Sequence, residues 1–221
     1  MVHYIPFAKM SGAGNDFVVI DNRQELIRDA EKAARVLCDR RLGIGADGLL
    51  LVEKNTKANF TMKYYNADGS YGGMCGNGGR CIAMFAFREH IVPNRIMYFE
   101  ALDYVYRAEV TDGIVVLAMK DPVDIRLNNT LTVNGLTVRY HFINTGTQHC
   151  VVLMDENPGL FGESAFDTAD IVPLGRVVRH NAAFAPIGAN VNFVQTSGEG
   201  RLVHQRTYEK GVEDETLACG T

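Results

Sequence analysis

Two pairs of related short segments recur in the same order along the 221 residues, and this constrains the fold more than any single element does. Gly12-Ala13-Gly14-Asn15-Asp16-Phe17-Val18 resembles Gly188-Ala189-Asn190-Val191-Asn192-Phe193-Val194. Tyr65-Asn66-Ala67-Asp68-Gly69 leads to Met74-Cys75-Gly76-Asn77-Gly78, and Tyr208-Glu209-Lys210-Gly211 leads to Ala218-Cys219-Gly220-Thr221. One such pair would mean little, because short Gly-rich pieces match by chance. Two pairs in one order point to two related lobes. The gap between paired elements is roughly 60 residues in the first half and roughly 30 in the second, so any duplication has diverged. The expected lobes are 1–120, carrying Cys75, and 121–221, carrying Cys219, with the boundary in 120–129. There Asp121-Pro122 and Asn128-Asn129 interrupt the strand pattern.

Strand-like runs dominate both halves. Phe17 to Ile20, Leu49 to Val52, Phe60 to Tyr65, Ile96 to Glu100, Tyr104 to Val110, Ile114 to Met119, Leu131 to Tyr140, Cys150 to Met154 and Val191 to Gln195 are short, apolar or β-branched, and bounded by turn residues. Asp112-Gly113 and Asn134-Gly135 predict hairpin turns, since both dipeptides tolerate positive φ. Helices are predicted over 24–40 and 78–89. Helices set among hairpins predict an α+β fold, two pseudo-symmetric lobes of antiparallel strands each around a central helix.

The Cys-Gly turns carry the chemistry. Glycines after Cys75 let the backbone turn and present its N–H groups, and a helix follows. Unpaired N–H groups at a helix start favour a carboxylate or a thiolate, so a cysteine placed there gains acidity and can act as a base near neutral pH. A tight turn around a structural cysteine is the alternative. The run Gly76-Asn77-Gly78-Gly79 at the helix start weighs toward function. Cys219-Gly220-Thr221 repeats the theme, and there the sequence stops. The second lobe is therefore expected to be incomplete at its C-terminus, lacking the helix that would follow. Two such cysteines suit inversion of a stereocentre: one removes a proton from one face while the other delivers a proton to the opposite face.

Other classes are disfavoured. The net charge is −4 with no run of Lys or Arg, so neither nucleic acid nor an anionic membrane is an expected partner. The first ten residues lack a signal-peptide pattern, and no apolar stretch approaches about 18 residues. Five cysteines without a pairing pattern fit a reduced, cytoplasmic protein. Cys38 and Cys150 read as core residues, Cys81 as lying on the buried face of its helix, and Glu213-Asp214-Glu215 as a solvent-facing loop. No Ser–His–Asp order or H-E-x-x-H zinc site is present. Cys75, Cys81 and Cys219 lack the short spacing that zinc prefers, so no metal is expected.

These motifs resemble the diaminopimelate epimerase family over essentially the whole chain. The matching segments are Lys9 to Phe17, Gly43 to Gly48, Tyr65 to Ser70, Met74 to Cys81, Gly188 to Phe193 and Tyr208 to Thr221. The resemblance implies a pyridoxal-phosphate-independent isomerase of lysine and peptidoglycan-precursor biosynthesis. It would use no cofactor and take a small amino-acid substrate, converting LL- to meso-diaminopimelate. It implies Cys75 and Cys219 as the acid–base pair. Gly76, Asn77, Gly220 and Thr221 would hold the reacting α-carboxylate through backbone N–H groups. Asn15, Asn66 and Asn190 would bind the distal amino-acid end, Glu209 the reacting α-amino group and Lys210 the distal carboxylate, while His149 would tune the cysteines. Asn at these positions also has a plain reading as a turn or capping residue.

Three departures from the family pattern bear on substrate grip. Lys210 stands where Arg is common, losing the planar fork that grips a carboxylate at two points. Thr147-Gln148 replaces the usual Asn-Pro before His149, and the loop 211–216 is slightly longer. Alternatives are a proline racemase-like or phenazine-biosynthesis isomerase-like enzyme of the same superfamily, or a non-enzymatic thiol or metal module. The sequence does not say which cysteine serves which stereoisomer. It carries no signal for or against a homodimer.

Overall fold

The computed structural model describes residues 4–162, 164–197 and 201–219. The chain divides at Lys120/Asp121 into two compact units.

The first unit runs β1 (Ala8–Gly12), β2 (Asn15–Asp21), α1 (Ala30–Leu37), β3 (Gly48–Glu53), β4 (Phe60–Asn66), α2 (Gly76–Arg88), β5 (Ile96–Ala101), β6 (Tyr104–Thr111) and β7 (Ile114–Ala118). Its seven strands lie in sequence order. The sheet is mixed rather than antiparallel, because β2·β3 and β4·β5 are parallel pairs. Parallel neighbours need a crossover, and each of these two crossovers carries a helix.

β2 and β3 are buried on both faces, which explains their unbroken apolar sequences Phe17-Val18-Val19-Ile20 and Leu49-Leu50-Leu51-Val52. Phe17, Val19, Leu50 and Val52 join the core around α2. Val18, Ile20, Leu49 and Leu51 pack instead with Ala34 and Cys38, on the α1 side. α1 is shorter than the predicted 24–40 because Asp29 caps it, accepting from the Lys32 N–H, so residues 24–29 lie outside the helix.

The second unit runs β8 (Val123–Val133), β9 (Leu136–Asn144), β10 (Gln148–Leu153), α3 (Val172–Arg179), β11 (Asn190–Ser197), β12 (Leu202–Glu209) and β13 (Asp214–Thr216), again in sequence order across one sheet. β10·β11 is parallel and its crossover carries α3, a helix absent from the sequence expectation. The eight residues of α3 include Pro173, Gly175 and three valines, so local propensity says little for it. Its burial against the Cys150, Val191, Phe193 and Tyr208 face decides it. Asn128-Asn129 does not interrupt a strand. It lies inside β8, where register shifts and positive φ at Asp124 and Asn128 mark bulges.

The two units share a path: a strand, a helical crossover to a parallel strand, an antiparallel return, then a cysteine turn. β2-α1-β3-β4-Cys75 corresponds to β10-α3-β11-β12-Cys219. This corrects one repeat. The 12–18 segment turns from β1 into β2, whereas 188–194 enters β11, so the true counterpart of Ile187-Gly188-Ala189-Asn190 is Ile44-Gly45-Ala46-Asp47 at the entry to β3. Gly45 and Gly188 have φ of 77° and 74°, the left-handed region that keeps both positions glycine. The second repeat is topologically sound. Tyr65 bridges Tyr71, Tyr208 pairs with Glu215, and in each case the cysteine follows four residues later.

Candidate active site

Each unit places its part of the candidate site at the end of the sheet where these cysteine turns emerge. In the first unit Cys75 is the N-cap of α2, so the helix begins at Gly76, two residues earlier than predicted. A thiol can replace the usual capping oxygen because its sulfur accepts from the Gly78 N–H, at 3.4 Å. The close approach of β1 fixes the helix start. A Cβ at Gly12 would lie 2.8 Å from the Asn77 carbonyl oxygen, so only glycine fits there.

Asn15, buried at the start of β2, reaches Cys75 directly: its Oδ1 accepts from the Cys75 thiol at 3.6 Å. The other end of its amide donates from Nδ2 to Asp47 Oδ2 at 2.7 Å. Asp47 also accepts from the Asp16 N–H (3.1 Å) and from Arg40 (2.7 Å). Arg40 spans Asp16 and Asp47, and Lys9 pairs with Asp16 at 2.7 Å. Burial alone would raise the pKa of Asp16, but its hydrogen bonds from Arg40 and Lys9 hold it well below the usual carboxylate range. Sequence reasoning missed Asp16, Arg40 and Asp47. Their signal was the acidic residue at each of the two strand entries.

Asn66 ends β4, and its side chain is engaged locally. Its Oδ1 accepts from Tyr64 Oη at 2.6 Å and its Nδ2 donates to Ser70 Oγ at 3.0 Å. Gly76 and Asn77 are buried in the first turn of α2, with Arg80 donating to Asn77 Oδ1.

In the second unit His149 and Asn190 are register partners on β10 and β11. Asn190 Oδ1 accepts from the Lys210 N–H at 2.8 Å. The Lys210 ammonium donates to Gln148 Oε1 at 3.3 Å, so two of the departures from the family pattern touch each other. Burial, then the charge of Arg179, lowers the Lys210 pKa. Glu209 is half-buried at the end of β12, and Cys219 is half-buried beyond β13. Gly220 and Thr221 lie outside the described residues.

His149 is almost fully buried, and burial holds its pKa down to about 4. Its Nδ1 lies 3.0 Å from Asn192 Nδ2, and Asn192 Oδ1 faces Gln205 Nε2 and Thr207 Oγ1 at 3.1 and 3.0 Å. This neutral network lies on the sheet face opposite α3. Asn192, Thr207 and Gln205 carried no sequence signal as site residues.

The other cysteines are core residues: burial pushes the thiols of Cys38 and Cys81 up to about 11, and that of Cys150 higher still. The loop at 213–215 is not simply solvent-facing. Burial would raise Glu213, but hydrogen bonds from Arg179 and the Gly211 N–H bring it down to about 2. Glu215 is held by Arg206 at 2.7 and 2.5 Å. These pairs fasten the turn that leads to Cys219. Among the described residues no cluster of His, Cys, Asp and Glu could hold a metal ion, and no helix is long and apolar enough to cross a membrane.

Comparison with known proteins follows the same lines. The family profile described as diaminopimelate epimerase matches residues 7–125. A diaminopimelate epimerase of Chlorobaculum tepidum is 45% identical over 217 residues, covering 96% of this chain and 78% of the relative. One from Aquifex aeolicus is 41% identical over 226 residues, covering 97% and 77%. Among solved structures, a probable proline racemase from Agrobacterium radiobacter aligns with a TM-score of 0.69 at 16% identity, covering 92% of this chain and 70% of that one. A phenazine biosynthesis protein from Bacillus anthracis aligns with a TM-score of 0.63 at 16% identity, covering 98% and 75%. At such identities the structural likeness shows a shared fold and no more, whereas the sequence relatives and the family profile decide the assignment: the chain belongs to the diaminopimelate epimerase family.

Proposed function

We propose that this protein interconverts LL- and meso-diaminopimelate by two-base proton transfer without a cofactor, with Cys75 and Cys219 as the bases. The observation that carries this reading is the position of Cys75. It caps α2, receives an N–H at its sulfur, and is backed by a buried amide. A proline racemase-like activity is the weaker reading, since the sequence relatives named above are diaminopimelate epimerases.

The α-hydrogen of an amino acid is a very weak acid, so a thiolate removes it only if the developing charge is stabilised. The first-turn N–H groups of Gly76 and Asn77 are oriented along the α2 axis and favour negative charge on the substrate α-carboxylate. Gly220 and Thr221, which lie outside the described residues, are assigned to the same carboxylate by the family resemblance, and exclusion of water strengthens the stabilisation. One cysteine takes the proton as thiolate, the other gives its proton from the opposite face, and the reverse reaction exchanges their roles. Asn15, Asn66 and Asn190 hold the distal end of the substrate, Glu209 the reacting ammonium and Lys210 the distal carboxylate. His149, kept neutral by burial, is assigned by the family resemblance to tuning the cysteines. The reduced cysteines this chemistry requires suit a cytoplasmic location.

Incubation of the purified protein with LL-diaminopimelate in D2O tests the reading. Meso product carrying solvent deuterium at one α-carbon is expected. Turnover of proline with unchanged diaminopimelate would replace it with the racemase reading.

A further inference from the structure

The amide of Asn15 has two ends, and the fold leaves no freedom in how they point. A carboxylate oxygen accepts hydrogen bonds and cannot donate them. Asp47 Oδ2 lies 2.7 Å from one end of the Asn15 amide, so that end is the NH2 group. The carbonyl oxygen must then face Cys75, 3.6 Å from its sulfur. An oxygen acceptor beside sulfur favours the thiol, which can donate, over the thiolate, which repels it. The Gly78 N–H, at 3.4 Å, pulls the other way, because it favours negative charge on sulfur.

We infer that Asp47 is a positioning residue for Cys75: by fixing which end of the Asn15 amide faces the sulfur, it holds the proton on Cys75 against the pull of the helix start. Asp47 does not touch Cys75, and of the groups assigned to the substrate it touches Asn15. It acts through Asn15, and its own orientation is set in turn by the Arg40 guanidinium at 2.7 Å and the Asp16 N–H at 3.1 Å. The charged groups bearing on this relay are Lys9 from β1, Asp16 from β2, Arg40 and Asp47 from the segment between α1 and β3, and Arg80 from α2, which holds Asn77. The second unit has no such acid at the equivalent place: the counterpart of Asp47 is Asn190, whose oxygen accepts from a backbone N–H. The two cysteines of the proposed pair are therefore supported by unlike surroundings, as an acid and a base at rest should be.

The test reads the thiol and not turnover, so it stands or falls separately from the proposed reaction. Iodoacetamide labelling across a pH series, resolved by peptide mass spectrometry, gives the apparent pKa of Cys75. In Asp47→Asn, the Arg40 guanidinium and the Asp16 N–H compete for the one amide oxygen, and the charged donor takes it, leaving the Asp16 N–H without its carboxylate partner. The new NH2 group then faces Asn15, which must turn its own NH2 toward the sulfur. The expected result is a fall of about one unit in the Cys75 pKa, hence up to about tenfold faster labelling below that pKa. Buried Cys38, Cys81 and Cys150 report folding in the same digest and should stay unlabelled. An unchanged or raised Cys75 profile with these three still protected overturns the inference. Should Asp47→Asn expose them, Asn15→Ala decides. Loss of a carbonyl acceptor lowers the Cys75 pKa as proposed, whereas an unchanged or raised value shows that no acceptor faced the sulfur.

Discussion

The two units follow one chain path but carry different polar groups on their sheets. In the first, the sheet face under α2 is apolar, and polar support is displaced to the strand entries, where Asp16, Asp47, Arg40 and Lys9 form a charged cluster. In the second, the strand positions on the face opposite α3 are themselves polar, and His149, Asn192, Thr207 and Gln205 form a neutral network. The difference shows that a repeat conserves backbone path and turn geometry more than it conserves the chemistry laid on them. Charged support works where solvent reaches Arg40 and Lys9. A buried position such as His149 requires a neutral group with partners.

Acid should separate the two. The pKa of His149 is held down to about 4, against 6.5 for an ordinary histidine. Its neutral form therefore contributes stability that is fully present above about pH 6.5 and is lost as the pH falls toward 4. That loss amounts to about 3 kcal/mol at most. Asp16 behaves differently: its pKa lies below that of an unfolded aspartate, so its contribution persists through this window and fades only below about pH 4. Denaturant titrations at pH 7 and pH 4.5 should show the loss, and His149→Gln should flatten it. An unchanged slope in His149→Gln would remove histidine burial as the cause.

A smaller effect is expected from Asn192→Leu, which deprives His149 and Thr207 of a partner. A loss of about 2 kcal/mol is predicted, read from the urea midpoint. The corresponding change in the first unit, Asp47→Asn, keeps most hydrogen bonds and should cost less. The reverse order would mean that the charged cluster, not the neutral network, is the more sensitive support. Smallest is the change at the one element both units share. Gly45→Ala and Gly188→Ala each force a left-handed backbone on alanine, and the added Cβ would lie 3.0 Å from Arg40 Cα at 45 and closer still to Arg179 Nη1 at 188, so each should cost at least about 1 kcal/mol. An unchanged midpoint in either variant would break the equivalence of the two strand entries.

Much of the fold was legible in the sequence because strands and hairpin turns are local. Asp112-Gly113 and Asn134-Gly135 both adopt the positive φ values their composition predicts. The parallel pairs were not legible, since β2·β3 and β10·β11 are joined through crossovers that no local pattern records. α3 was missed because burial rather than propensity makes it a helix. At the site, Cys75 stood out because glycines and a helix start flank it. Asp47 and Asn192 did not, because each works through a contact with a residue far away in sequence, Asn15 and His149 respectively. The mismatch in the first repeat has the same origin: Gly-Asn-Phe-Val text recurs at two strand starts that occupy different places in the topology.

The two-cysteine chemistry is the centre of this account, and single serine variants test it most directly. Serine keeps the shape of cysteine but is far less acidic, so Cys75→Ser and Cys219→Ser should each lower kcat for epimerisation of LL-diaminopimelate by at least about 10²-fold, with folding intact by circular dichroism. Near wild-type turnover in either variant would contradict it.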